Sequence, residues 1–344
     1  MASRPNPEAH TPLVQPENAE FKLLGKGYEH LVYQHIHHPE SAVKISAHKL
    51  RQILTAFPGM TRPKNNALAS YGRAEFVPDI RSKNAQLVEL MRTFGPAHAL
   101  RERRFLSRVK VSVSFMCQLF FLDYWQRGTP DWVKNAEILW THVAVQRFCK
   151  AASDPSRLSL SFGSFTEDGP FDRPRYRQLH ALMLRKSAAA IPLDTFLALQ
   201  DNSRARYLSR LLRTAERDPG LKAALIDFIL KSMTYSRRTG NILALAGQDN
   251  VFFFQSAGSW TYCLMDVLPI PTGPVLRHAE EVALRLSGCA PSKQELEAVK
   301  RALNFVRTID GIASALGLEE RIGLAPALAA ASELDLAPDG RYAF

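Results

Sequence analysis

Hydrophobic and polar residues alternate in the first part of the chain and repeat every three to four positions later, which separates a strand-rich region from a helical one. From Phe21 to Ile45, in "FKLLGKGYEHLVYQHIHHPESAVKI", short apolar stretches are separated by glycine, His-Pro and serine turns, the pattern of short strands. Residues 47–97 predict a short helix mixed with Pro/Gly-broken loop, most plainly in "TAFPGMTRPKNN". Pro96 and "AHALRERRFLSRV" then predict a basic amphipathic helix with Leu100, Phe105, Leu106 and Val109 on its apolar side. Residues 111–152 also read as helix and carry Trp132 and Trp140, with Pro130 and Asp131 as a helix start. Strand character returns in "RLSLSFGSFTEDG" and "RQLHALMLRK". From Pro192 onward helices dominate, in "PLDTFLALQ", "SRARYLSRLLRTAER" and "PGLKAALIDFILKSMTY". One β-rich island, "NILALAGQDNVFFFQSAGSWTYCLMDVL", interrupts them, and helix resumes from Val275 to Leu334.

These elements predict an α+β, two-lobed architecture. Residues 1–20 form a flexible arm, and residues 21–186 a β-rich lobe with helical insertions near 47–97 and 111–155. Residues 187–344 form a mainly helical lobe holding one β-hairpin.

Composition narrows the classes. An apolar fraction of 46% and a charged fraction of 22% over 344 residues are ordinary for a globular protein with a sizeable core. A net charge of +11 attracts polyanions non-specifically. The basic clusters "LRERRFLSRVK", "SRARYLSRLLRTAER" and "KSMTYSRRTGN" read first as solvated helix faces. Cys117, Cys149, Cys263 and Cys289 form no C-x-x-C pair, which argues against a zinc ribbon, a thioredoxin motif or a disulfide framework. The first twenty residues lack the apolar run of a signal peptide, and "VSVSFMCQLFFLDYW" is too short for a span. A cytoplasmic protein without a membrane span is the expectation.

Two constellations carry chemistry. In "LGKGYEHLVYQ", Gly25, Gly27 and Val32 stand in a G-x-G-x-x-x-x-V frame. Glycine lets a backbone approach a phosphate chain closely, and Val32 on the returning strand would roof an adenine. Lys44 lies inside the next apolar strand, "SAVKIS", where burial requires an anionic partner. Glu102 is the preferred partner and Glu137 the alternative, both expected on helices. The second constellation pairs Asn241, before "ILAL", with Asp266, after "YCLM". Amide and carboxylate oxygens of this kind can hold Mg²⁺. His30, His35, His37 and His38 crowd a strand turn, with no distant ligand set to complete a metal site.

In this chain order the residues resemble the protein-kinase-like superfamily, and within it the PhoP-regulatory-network, YrbL-like family. The pieces that carry the likeness are "LGKGYEHLVYQHIHHPESAVKIS", "LRERRFLSRV", "LSFGSFTEDG", "LHALMLRK", "TGNIL" and "LMDVL". The resemblance implies ATP and Mg²⁺ as ligands. Gly25, Gly27 and Val32 would embrace the nucleotide, Lys44 would touch its α/β-phosphates and Glu102 would orient Lys44. Asn241 and Asp266 would hold the metal. The sequence departs from protein kinases at two of these points. Asp266 precedes Val-Leu-Pro instead of Phe-Gly, and Ser236 stands where the catalytic-base aspartate would be. A weak or atypical phosphotransferase is therefore implied, with Arg237 and Arg238 as charges near the γ-phosphate. The alternatives are a pseudokinase scaffold that holds a protein partner through the inserted helices, and a basic nucleic-acid binder built on helices 98–110 and 203–216.

Overall fold

The computed structural model describes residues 13–26 apart from 17, 30–56, 65–110, 138–161, 205–245, 250–268, 274–285 and 292–323, with the isolated Pro192 and Asp194. The fold is mixed α+β. Its chain divides into two compact units, Met1–Leu87 with Arg101–Cys149, and Val88–Leu100 with Lys150–Phe344.

The first unit is built on a six-stranded sheet in the order β1-β5-β6-β4-β3-β2. Its strands are β1 (Leu13–Val14), β2 (Phe21–Lys26), β3 (His30–His35), β4 (His38–Ser46), β5 (Glu102–Lys110) and β6 (Ile138–Arg147). The alternating segment 21–46 forms an antiparallel meander, β2–β3–β4, as its turns predict. Strand β4 pairs with β6, which pairs with β5.

Two of these strands correct the sequence reading. The basic helix expected from residue 98 is β5, paired with β6 along its whole length from Glu102–Gln146 to Lys110–Ile138. The helix expected around Trp140 is β6, "ILWTHVAVQR". Its β-branched and aromatic residues fit a pleated, two-sided surface, and that preference outweighs the helical spacing of its apolar residues. The short helix and loop expected in 47–97 are instead two helices in the described residues, α1 (Ala47–Ala56) and the thirty-residue α2 (Asn65–Phe94), which continues through Pro78. Residues 57–64 of the expected loop lie outside the described residues. Trp132, Glu137 and "RQLHALMLRK" lie outside the described residues.

Alternation sends the two faces of the sheet into different environments. Leu31, Tyr33, Ile45 and Val143 join Leu50 and Ile53 of α1 in an apolar core. The other face carries Lys44, Arg104, His142 and Gln146, all buried. Helix α2 reaches this second face because Gly72 has no side chain: a Cβ there would stand 3.0 Å from Cβ of Trp140. Farther along α2, Asn84 donates from Nδ2 to the carbonyl of Arg104 at 2.9 Å and accepts the Arg104 N–H at 3.1 Å. Strand β1 covers β5 only at Arg108 and Val109, so Asn84 closes the strand edge beyond it.

In the second unit, α3 (Ala205–Arg217) buries Leu208, Leu211, Leu212 and Ala215 and exposes Arg206, Arg210, Arg213 and Arg217. Helix α4 (Pro219–Thr239) starts at Asp218, whose side chain accepts from the N–H groups of Gly220 and Leu221, and ends on Gly240 at φ 70°. The β-rich island forms the hairpin β8 (Val251–Ser256) and β9 (Ser259–Leu264), with Leu158–Ser159 as strand β7 beside β8. Its turn holds Ala257 and Gly258 at φ 50° and 80°, the conformation that matches strand twist. Helices α5 (Val275–Arg285) and α6 (Lys293–Ala315) complete the unit, α6 opening on a Ser292–Glu295 capping box. Asp310 of α6 accepts the N–H groups of Ile322 and Gly323 and so fastens the segment after the helix. Burial pushes its carboxyl up to about 6. Among the described residues no helix is long and apolar enough to cross a membrane.

The clamp on β5 has a measurable weight. Asn84→Ala leaves two backbone groups of Arg104 without these bonds, at an expected cost of about 1–3 kcal/mol. Urea unfolding should show a lower midpoint with an unchanged slope.

Candidate functional site

Strand register places the N-terminal candidates side by side. Gly25 of β2 is opposite Val32 of β3, Val32 is opposite Lys44 of β4, and Lys44 is opposite Ala144 of β6. Arg104 of β5 continues the same row beyond Ala144. Gly25, Val32, Lys44 and Arg104 therefore occupy one band across five adjacent strands. A β-bulge between Leu23 and Gly25 resets the register where the glycine enters the row. A Cβ added at Gly25 would meet nothing within 4 Å, so this end of the band is open. Gly27 lies outside the described residues.

Lys44 needs an anion because it is 4% exposed. Its Nζ lies 3.2 Å from Oε2 of Glu102, and the two side chains are 5% and 2% exposed. Glu102 is thus the partner, as preferred, but it projects from strand β5 and not from a helix. Its other oxygen, Oε1, accepts from Nε of Arg104. Residues 102 and 104 share a face because a strand repeats every two residues. Sequence reading took Arg104 for a solvated helix residue; once 102–110 is read as a strand, the two-residue spacing alone predicts this contact.

One carboxylate therefore sits between two buried cations. The next positions on the face add His142, whose Nδ1 lies 3.8 Å from Oδ2 of Asp79, a carboxylate that also pairs with Lys49 at 3.6 Å. His142 is held down to about 2, first by burial, then by Arg104, Lys83, His30 and Lys49. Positive charge outweighs the nearby Asp79 at this imidazole.

In the second unit, Asn241 follows Gly240 directly after α4, in a segment with no strand assigned, where a strand "ILAL" was expected. That segment is tied to the chain around Asp266 by one backbone bond, Ala244 N–H to the carbonyl of Val267 at 2.7 Å. Asn241 is 7% exposed, and its Oδ1 has no hydrogen-bond partner among the described residues. Asp266 is half-buried in the bend after β9. A buried amide oxygen without a donor is suited to a hard cation. The described residues contain no group of three or more His, Cys, Asp or Glu that could hold a metal.

The position at which the resemblance places a catalytic base is buried. Ser236 lies within helix α4, is 1% exposed, and its hydroxyl has no partner among the described residues. Tyr235 beside it is pushed up to about 12, chiefly by burial. The neighbouring arginines are engaged elsewhere. Arg237 donates to the carbonyl of Arg321. Arg238 pairs with Glu89 at 2.7 Å and donates to Oγ1 of Thr93. The loop arginines expected near a γ-phosphate are thus a helix terminus fastened to neighbouring chain.

Other candidates thin out. Of the two basic helices expected to bind nucleic acid, only α3 is a helix. A cavity of about 420 Å³ lies beside the start of α4, lined by Asp218, Gln255, Ser259 and Trp260, and holds none of the residues singled out from the sequence. Comparison with models of known protein families, with curated proteins and with solved structures finds no match.

Two outcomes follow from the charge cluster. Glu102→Gln leaves Lys44 and Arg104 without the carboxylate between them, with an expected loss of about 3–5 kcal/mol. Lys44→Met should cost less because Glu102 keeps Arg104, and urea unfolding ranks the two. His142 has a folded pKa below its ordinary value of 6.5, so its contribution is full above that value and is lost as pH falls. The slope is about 1.4 kcal/mol per pH unit. Comparison of wild type and His142→Gln at pH 7.5 and 5.5 should show the smaller acid loss in the variant.

Proposed function

We propose that this protein is a kinase-like ATP–Mg²⁺-binding protein that holds nucleotide and transfers phosphate weakly or not at all. The observation that carries the reading is the band Gly25–Val32–Lys44, ending at the buried Lys44–Glu102 pair. A lysine inside a sheet, fixed by a carboxylate and adjoining an open glycine position, suits a phosphate chain. The half-buried Val32 between them offers an apolar surface to a base.

The cation belongs with Asn241 and Asp266. Mg²⁺ would neutralise phosphate oxygens, while Asn241 contributes its amide oxygen and Asp266 its carboxylate. Support for Asn241 is its buried, partnerless oxygen.

Chemistry is argued down by Ser236. A general base typically contributes about 10²–10⁴-fold to rate. A serine hydroxyl sealed inside a helix cannot take a proton from an acceptor hydroxyl as a carboxylate can. This favours the pseudokinase form of the reading, in which bound nucleotide biases a conformation or a partner's binding. The positive sheet face still allows slow transfer through positioning and charge neutralisation.

Titration calorimetry with MgATP tests the reading through Gly25→Ala. Nothing stands within 4 Å of the added carbon, so the variant should unfold at the wild-type temperature. If phosphate occupies that space, affinity should fall at least about tenfold, or 1.4 kcal/mol. Wild type that fails to bind millimolar MgATP sinks the nucleotide reading. A γ-phosphate transfer assay then separates weak transferase from pseudokinase: turnover abolished by Asp266→Ala supports the former.

A further inference from the structure

The side chain of Arg277, near the start of α5, lies across Gly240, the residue immediately before Asn241. A Cβ at Gly240 would stand 2.7 Å from Nε of Arg277 and 2.9 Å from its Cγ. Gly240 is therefore required twice, by its left-handed φ of 70° and by the arginine occupying the side-chain volume. A backbone bond from Leu276 N–H to the carbonyl of Gly240, 2.8 Å, fixes the start of α5 on the same residue.

This arginine differs from its neighbours. Arg237 and Arg238 are bound to the chain, whereas Arg277 is exposed and makes no hydrogen bond or ion pair among the described residues. Its stem and Nε lie against Gly240, and the residue as a whole is exposed. Next to it, Asn241 is buried with an amide oxygen that also lacks a partner. A guanidinium packed on Gly240 and a metal-type oxygen acceptor on the next residue, Asn241, thus share one stretch of chain. Guanidinium forks match phosphate oxygens in geometry, and an amide oxygen does not bind them directly. Together they suit a phosphate that arrives with its own divalent cation.

We propose that Arg277 is a phosphate-binding residue, which grips the metal-bearing end of a polyphosphate whose Mg²⁺ is held by Asn241 and Asp266. The inference rests on the ATP–Mg²⁺ reading for its biological ligand, but the site requires only a polyphosphate. Arg277 replaces the charge that Arg237 and Arg238 cannot supply. Gly240 serves as the saddle on which it is positioned.

The test measures binding of MgATP, AMP and magnesium tripolyphosphate to wild type, Arg277→Gln and Arg277→Lys by calorimetry. Arg277→Gln is expected to weaken MgATP and magnesium tripolyphosphate at least about tenfold and to leave AMP unchanged, because a charged hydrogen bond is lost. Arg277→Lys should recover part of the loss. Unfolding temperatures of the variants establish that the fold is kept, and a variant that does not fold is replaced in the comparison by the other. Wild type binding MgATP with Arg277→Gln equal to it overturns this inference alone. Arg277-dependent binding of tripolyphosphate without binding of ATP keeps it and removes the nucleotide reading. Failure of wild type to bind either polyphosphate overturns both.

Discussion

The first unit is organised around one carboxylate. Glu102 lies between Lys44 and Arg104, and all three side chains are buried. Each cation alone would be costly to desolvate, and the shared anion offsets both. The arrangement needs three strands in register: β4 to bring Lys44, β5 to bring Glu102 and Arg104, and β6 to space them by Ala144. A small residue between the two cations leaves room for the carboxylate to reach both. A one-residue slip of β5 would turn Glu102 and Arg104 to the opposite, apolar face, where Ile45 and Val143 pack. The charge cluster therefore selects the register as firmly as the hydrophobic core does.

Such a cluster is an expensive way to stabilise a sheet. Apolar residues of similar volume commonly do as well or better in a buried site. The same face holds down the proton affinity of His142, first by burial and then through Arg104, Lys83, His30 and Lys49. Burial keeps this imidazole neutral first, and the neighbouring cations add to it. The open position at Gly25 lies on the same band.

Much of the meander was legible because its signals are local. Glycine and His-Pro turns delimit β2, β3 and β4, and alternation assigns Lys44 to a buried face. Burial of a lysine then demands an acid, which is why Glu102 could be named without knowing its element. The element itself was not legible. "ERRFLSRVK" carries apolar residues spaced for either a helix face or a strand, and only pairing with the β-branched β6 decides between them. Helix α2 was obscured by Pro78, which the helix accommodates, and by a sparse apolar pattern. The hairpin β8–β9 was readable from two apolar runs joined by Ala-Gly. Arg277 was not readable, since its significance comes from Gly240, a residue distant in sequence that meets it only through folding.

In the second unit a sealed hydroxyl and a partnerless amide oxygen stand five residues apart, at Ser236 and Asn241. Ser236 and Asn241 are separated by a helix end. Helix α4 runs through Ser236 and stops at Gly240, whose left-handed conformation turns the chain so that Asn241 leaves the helix axis. Residues before the stop are constrained by helical hydrogen bonds and by packing, and Arg237 and Arg238 serve to fasten that end. Residues after it are freed from the helix ladder, and there the partnerless amide oxygen of Asn241 is found. An aspartate at 236 would be buried in the helix and would need a compensating donor there. Extending the helix to 239 thus buries position 236 within it and leaves Asn241 beyond its end. Local helix length, and not only the identity of one side chain, thus decides that position 236 is sealed while position 241 keeps a partnerless polar atom.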